Sequence, residues 1–233
     1  MNIVVTGAGS GLGFEVVLEF IRKTEHKVVA VSRNAEKLRR LLEIARGLNP
    51  ECQLIPVSFD LVKDDMAVLE DFVLKSLGTV DILINNAGQL ISKPFMKTSA
   101  EEFSQMLNVN VLSHFKLSQA LVPFMLKGGH IVNIGSMGGY QGSVKFPGLS
   151  AYSSGKGALA VLTECMAVEL AEYNVKVNCL ALGSVQTEML EEAFPGYRSP
   201  VMAFEMGVYV ADFALNASRF FNGKVLPVSV TTP

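Results

Sequence analysis

Apolar residues along the chain fall into short runs of strand length that alternate with longer stretches of helical periodicity. Runs such as Ile3-Val4-Val5, Val28-Val29-Ala30-Val31 and Ile131-Val132 lack the polar alternation of a half-exposed strand, as strands covered on both faces do. The pattern predicts strands at 2–6, 27–32, 53–58, 80–85, 129–135, 175–181 and 224–229. Between them it predicts helices at 11–23, 35–47, 64–77, 100–127, 151–173 and 201–218. Ser99 before Ala100-Glu101-Glu102, and Ser150 before the helix of Tyr152, stand where N-caps belong. Gly47 and Gly78 stand where C-cap glycines belong. Strand and helix in strict alternation give right-handed βαβ units, and so a doubly wound α/β fold of three layers with helices on both faces of a parallel sheet.

Composition narrows this picture. The chain has 233 residues, 49% of them hydrophobic, with no linker, low-complexity tract or repeat, so one domain is expected. The mean hydropathy of +0.34 is high, yet no apolar stretch approaches the 18 or so residues of a membrane span. A net charge of −2 gives no electrostatic footprint for nucleic acid. The N-terminus enters a strand directly, without a basic region or cleavage site, so a signal peptide is not expected. Cys52, Cys165 and Cys179 are odd in number and lack metal spacing. They are expected as reduced core residues of a cytoplasmic protein. His26, His114 and His130 are too scattered for a metal site and are expected to be structural.

The first strand runs straight into Thr6-Gly7-Ala8-Gly9-Ser10-Gly11-Leu12-Gly13 and then a helix. Glycines at a first βα junction let the backbone approach a pyrophosphate at the helix N-terminus. The spacing is T-G-x-x-x-G-x-G, not G-x-G-x-x-G. A tight strand-helix turn without a ligand is the alternative. At the end of the second strand, where a carboxylate would select NAD, stand Ser32 and Arg33. A guanidinium there suits a 2′-phosphate and favours NADP(H) over NAD(H). A solvated Arg opening the next helix is the competing reading.

Tyr152 and Lys156 lie one turn apart on a predicted helix face. A phenol with a reference pKa of about 10 needs a nearby cation to work as an acid or base near neutrality. Alone, the pair also fits a half-buried Tyr beside a snorkelling Lys. Tyr140 is a rival phenol, but its i+4 neighbour is Val144 and Lys145 falls off that face.

Taken together, the Thr6–Gly13 loop, Asp60, Asn85-Asn86-Ala87-Gly88, Asn110, Ser136 and the Tyr152/Lys156 pair resemble the short-chain dehydrogenase/reductase family from Ile3 to about Val228. The resemblance implies a Rossmann fold with about seven parallel strands in the order 3-2-1-4-5-6-7. It implies an NADP-dependent oxidoreductase moving a hydride between nicotinamide and a carbonyl or secondary alcohol. Ser136 would orient the substrate oxygen and Tyr152 would exchange a proton with it. Lys156 would hold the cofactor ribose and lower the Tyr152 pKa, and Asn110 would support a water relay. Cofactor contacts would come from Thr6, Gly7, Gly9, Ser10, Gly11, Leu12 and Gly13, then Ser32, Arg33, Asp60 and Leu61. Asn86, Ala87 and Gly88 would line the cleft, with Tyr152, Lys156, Gly183, Val185 and Thr187. No metal ligand is expected.

Three departures from the family pattern stand out. The stretch 137–148 is longer than usual and is expected to reshape the substrate side of the cleft. Leu182-Gly183 replaces Pro-Gly, which puts the rigidity of that loop in doubt. Ser229-Val230-Thr231 replaces Asp-Gly-Gly, a change expected to weaken one subunit contact. Residues 184–206 are expected to form a substrate lid, with Met189, Leu190, Phe194, Met202, Phe204 and Met206 as apolar material. A β-ketoacyl carrier-protein reductase is one alternative, disfavoured by Glu188, Glu191, Glu192 and Glu205 against a single Arg198 in the lid. A catalytically silent dinucleotide sensor is another. Val109, Leu112, Phe115, Leu117, Leu121, Leu159, Val161, Leu162 and Val168 supply more apolar surface than one helix face needs, so a homodimer or homotetramer is expected.

Overall fold

A computed structural model describes residues 1–22, 25–125 and 128–230. Lys23, Leu126, Lys127 and Thr231, which the expected helices 11–23 and 100–127 and the altered tail include, lie outside the described residues. Seven strands form one parallel sheet: β1 (Asn2–Thr6), β2 (Lys27–Ser32), β3 (Gln53–Ser58), β4 (Ile82–Asn85), β5 (His130–Ile134), β6 (Lys176–Leu182) and β7 (Val225–Val228). Their order is β3-β2-β1-β4-β5-β6-β7, as the resemblance implies. The central register sets Val4 beside Val29 and Leu83, and Val132 beside Ile84 and Asn178. β4 is two residues shorter than expected. Val80 and Asp81 instead tie down the sheet's lower edge: Val80 N–H donates to the Phe124 carbonyl and Asp81 N–H to that of Asn2.

Among the described residues, the α-helices are α1 (Gly11–Ile21), α2 (Ala35–Leu48), α3 (Met66–Leu77), α4 (Ala100–Leu107), α5 (Ser113–Leu121), α6 (Ser150–Glu169), α7 (Glu188–Ala193) and α8 (Ala203–Asn216). Because side chains alternate along a strand, each strand feeds two cores. Ile3, Val5, Val28, Ala30, Ile82, Ile84 and Val132 meet α1, α2 and α8. Val4, Val29, Leu83, Ile131 and Val177 meet α3, α5 and α6. This double coverage accounts for the high hydropathy of the chain.

Local signals fare unevenly. Ser99 caps α4 in a full capping box with Glu102, and Gly78 closes α3 at φ +78°. Ser150 is the first residue of α6 rather than its cap, which is Leu149 without a side-chain bond. Gly47 lies inside α2, whose C-cap is Asn49. The expected helix 100–127 is not continuous. A π turn at Asn108–Leu112 separates α4 from α5, and a 3-10 turn at Val122–Phe124 follows. The short α7 escapes sequence reading because six residues show no period. Of the cysteines, Cys179 is buried, Cys52 is half-buried and Cys165 is exposed on α6. One of the histidines, His130, is structural in plain view. Asn178 donates its side-chain amide to Nε2 of His130 at 3.0 Å, so the His130 proton sits on Nδ1 and is donated to the Ala214 carbonyl at 2.9 Å.

A polar chain crosses the otherwise apolar core beneath the sheet's upper edge. Asn85 Nδ2 donates to Asn133 Oδ1 at 2.9 Å and to Ser118 at 3.1 Å, and Asn133 donates to Thr163 at 2.8 Å. All four residues are buried, so each bond replaces water that cannot enter. Removing Asn133 strands its partners. Asn133→Ala should lower the unfolding free energy by about 1–3 kcal/mol. Urea unfolding should show an earlier midpoint with the slope unchanged; an unmoved midpoint would show that the network holds nothing.

Candidate active site

The carboxyl ends of the strands open onto one cleft of about 730 Å³. Its floor is fixed by Thr6, whose buried hydroxyl accepts the N–H groups of Asn86 and Ala87 at 3.0 Å each and donates to the Ile84 carbonyl. Asn86 answers by donating its side-chain amide to the carbonyls of Thr6 and Gly7. Gly7 sits at φ +67°, a left-handed conformation costly for any residue with a Cβ. Gly7, Gly9, Ser10, Gly11 and Leu12 line the cleft. Thr6 and Gly13 do not: Thr6 braces the wall from behind, and a Cβ on Gly13 would lie 2.4 Å from the Gly7 carbonyl oxygen. Both shape the loop from behind its wall.

Across the cleft, Asn110 lies in the π turn, fully buried. Its side-chain amide donates to the carbonyls of Gln89 and Met106, and its oxygen accepts the Gln89 N–H. The side chain thus clamps the segment after β4 to the helix layer, and a Cβ on Gly88 would lie 3.0 Å from Asn110 Oδ1. A π turn at such a place is a common mark of a functional site. It also turns Val109 and Ser113 into the cleft. Val109 therefore does not belong to the outer apolar stripe.

Ser136 follows β5, Tyr152 lies in the first turn of α6, and Lys156 lies one turn further on. The Ser136 hydroxyl accepts the Gly138 N–H at 3.1 Å, and Ser136 and Tyr152 line the cleft together. Lys156 is 4% exposed and donates to the Ile134 carbonyl at 2.7 Å. Its Nζ stands 5.9 Å from the centre of the Tyr152 ring. Burial pushes the ammonium down to about 8. Burial pushes the Tyr152 phenol up, and Ser136 is the group that opposes the rise. Beneath them, burial pushes the Cys179 thiol up to about 11, keeping it a neutral filler beside Lys156.

The longer stretch after Ser136 is built on a close approach. A Cβ on Gly139 would lie 2.4 Å from the Lys156 carbonyl carbon and 2.5 Å from the Gly157 nitrogen. Its far end is tied by the Lys93 N–H donating to the Gly148 carbonyl, and Phe146 and Leu149 reach the cleft wall.

At the opposite end, Ser32, Arg33, Asp60 and Leu61 line the cleft together with Asn34, Lys37 and Val62. The Asp60 carboxylate is taken up by the Val62 N–H at 2.9 Å, so it shapes the turn after β3. Lys37 belongs to no motif of the sequence, although it lies one turn beyond Arg33 and α2 begins between them.

The exit from β6 is held by hydrogen bonds where the proline is missing. Gly183 N–H donates to the Val228 carbonyl, Gln186 N–H to that of Val201, and the Ser199 hydroxyl to that of Ser184. The loop's rigidity is thus restored by other means. Gly183, Val185, Thr187, Met189, Leu190 and Phe194 line the cleft. Met202 and Phe204 do not, and Met206 is buried in the core against α1.

The match to known proteins follows the same geometry. A family model described as short chain dehydrogenase matches residues 1–198. The chain belongs to the short-chain dehydrogenase family. It is 37% identical over 192 residues to carbonyl reductase (NADPH) 2 of Sus scrofa, covering 81% of this chain and 73% of that protein. It is 31% identical over 240 residues to 7alpha-hydroxysteroid dehydrogenase of Escherichia coli strain K12, covering 97% of this chain and 91% of the relative. A solved 7alpha-hydroxysteroid dehydrogenase, complexed with NADH and 7-oxo glycochenodeoxycholic acid, superposes with a TM-score of 0.90 at 29% identity, covering 99% and 93% of the two chains. The protein is accordingly an oxidoreductase, and its family binds a nicotinamide dinucleotide. The cleft fits that group: the glycine loop leaves open backbone where side chains would intrude, and the cleft runs from Arg33 to Tyr152.

His114 on α5 stands behind this site. Its Nε2–H donates to the Ala87 carbonyl at 2.7 Å, while burial and the facing Lys156 ammonium push its pKa down to about 3. Between pH 6.5 and 3 the unfolded chain binds a proton that the folded chain refuses, so stability is full above pH 6.5 and is lost as pH falls. From pH 7.5 to 5.5 this costs about 1.4 kcal/mol. Chemical unfolding at both pH values should show the wild type losing that much more stability than His114→Gln. Equal losses would mean His114 titrates as it does in water.

Proposed function

We propose that the protein is an NADP-preferring reductase of carbonyl compounds, working reversibly on secondary alcohols, with Tyr152 as the general acid/base. The observation that carries this is the gathering of Ser136, Tyr152 and buried Lys156, whose Nζ stands 5.9 Å from the Tyr152 ring centre, in the same cleft as the glycine loop. The dinucleotide, when bound, supplies the hydride to the carbonyl carbon. Ser136 holds the substrate oxygen against the phenol. Tyr152 gives its proton to that oxygen as the carbonyl is reduced, and takes it back in the reverse direction. Lys156, charged below its lowered pKa of about 8, stabilises the phenolate left behind. Asn110 holds Gln89 and Gly88 in place beside Lys156.

Arg33 and the lack of a carboxylate at the end of β2 favour the phosphorylated cofactor, in keeping with the NADPH in the name of the porcine relative. The NADH in the structural relative shows what a neighbour holds, and Arg33 is the residue on which the choice turns here. Substrates have an apolar body, because Leu90, Val109, Phe146, Leu149, Met189 and Leu190 line the cleft. Segment 184–202 acts as the lid over them.

Tyr152→Phe keeps the ring and removes the proton. Reduction of test ketones should fall about 100- to 10,000-fold, while quenching titrations show dinucleotide binding intact. A variant that kept most of its rate would end this assignment.

The protein also pairs with itself. Phe103, Leu112, Phe115, Val161 and Val168 are 38–78% exposed on α4, the π turn, α5 and α6, whereas Leu117, Leu121 and Leu159, also expected in the stripe, are core residues. Five large apolar side chains on adjoining helices form the sort of patch that a two-fold partner covers. Light scattering at micromolar concentration should return at least twice the 25.2 kDa chain mass; the monomer mass would overturn the pairing.

A further inference from the structure

One ion pair at the mouth of the cleft has no part in the acid-base chemistry. Lys37 Nζ stands 2.5 Å from Glu188 Oε2, joining the first turn of α2 to the first residue of α7 across 151 positions of sequence. Both residues line the cleft beside Ser10, Ser32 and Arg33. Lys37 is well placed: Asn34 caps α2 by accepting the Lys37 N–H at 2.9 Å, and a Cβ on Gly9 would lie 2.6 Å from Ser32 Oγ and 3.3 Å from Lys37 Cβ. Lys37 holds the Glu188 carboxyl below the usual range, with the Ser10 hydroxyl and Arg40 acting in the same direction. Two cations, two hydroxyls and a helix N-terminus are the donor set of a phosphate site, and at present a carboxylate of the chain itself sits at its edge.

We propose that Glu188 is a built-in competitor of the cofactor's 2′-phosphate for Lys37, so that Lys37 is the second cation of the phosphate site and Glu188 sets the margin by which NADP is preferred over NAD. This rests on the reading that the dinucleotide lies with its adenosine at Arg33. The side chains of the pair are 42% and 61% exposed, so it is screened by water and weak. A phosphate carries nearly twice the charge of a carboxylate and more acceptor oxygens, and it wins the ammonium. Glu188 is then left facing an anion, which loosens the start of α7. The unphosphorylated cofactor leaves the strap between α2 and α7 closed.

Calorimetry on the whole protein with 2′,5′-ADP and 5′-AMP, and with NADP+ and NAD+, isolates the phosphate. Lys37→Gln should weaken 2′,5′-ADP and NADP+ about tenfold, the effect of one charge-assisted contact, and leave 5′-AMP and NAD+ within about twofold. Glu188→Gln should tighten 2′,5′-ADP several-fold without moving 5′-AMP, and this gain should vanish in the double variant. Hydrogen exchange over 184–202 should be faster with NADP+ than with NAD+. The proposal falls if either substitution moves both nucleotides alike, if Glu188→Gln weakens 2′,5′-ADP, or if exchange is the same with both cofactors. The underlying reading fails separately: Arg33→Gln leaving 2′,5′-ADP binding unchanged would remove the adenosine from that end. A wild type binding both cofactors equally, with NADP+ preferred only in Glu188→Gln, would end the native preference and uphold the competition.

Discussion

The exchange of hydrogen bonds between Thr6 and Asn86 is the constraint on which the site depends. One hydroxyl takes two backbone N–H groups from the end of β4, and one amide returns two bonds to the end of β1. These strands are neighbours in the sheet, and each continues into a loop that walls the cleft. With the two loop origins locked together and out of water, the glycine backbone and the 86–88 segment keep a fixed separation. Asn110 extends this lock to the helix layer through Gln89, and Lys156 extends it to β5 through the Ile134 carbonyl. The cleft is therefore framed from below by short buried bonds, and its mouth is left to weaker contacts.

The fold could be read from the sequence because the sheet is covered on both sides, so its strands are unbroken apolar runs. The strands came out within two residues of their predicted ends for that reason. The failures occur where no period exists or where two elements share one period. The π turn at 108–112 inserts a distortion into a stretch whose apolar pattern continues through it, so α4 and α5 looked like one helix. Six residues of α7 are too few to show a period.

At the site, residue identity was visible and residue task was less so. Ser136, Tyr152, Lys156 and Asn110 do come together, but Thr6 and Gly13 turn out to shape the loop from behind the wall. Only packing distances separate those two tasks, and sequence carries no distances. The same limit hid Lys37: its partner Glu188 lies far along the chain, and no spacing rule joins them. Burial explains the electrostatics in turn. Lys156, Tyr152 and His114 are each driven toward their neutral forms by the surrounding protein, and the Ser136 side chain and the Ala87 carbonyl act against that pressure on Tyr152 and His114.

The stretch after Ser136 is anchored at both ends, by the contact of Gly139 with the backbone of α6 and by the bond from Lys93 to Gly148. Between those anchors, Val144 and Phe146 are exposed and free to differ. Substitutions there can redraw the outer wall of the pocket without disturbing the position of Tyr152 or Lys156. Descent with modification thus has a segment in which new specificities can be tried while the proton-handling apparatus is inherited intact.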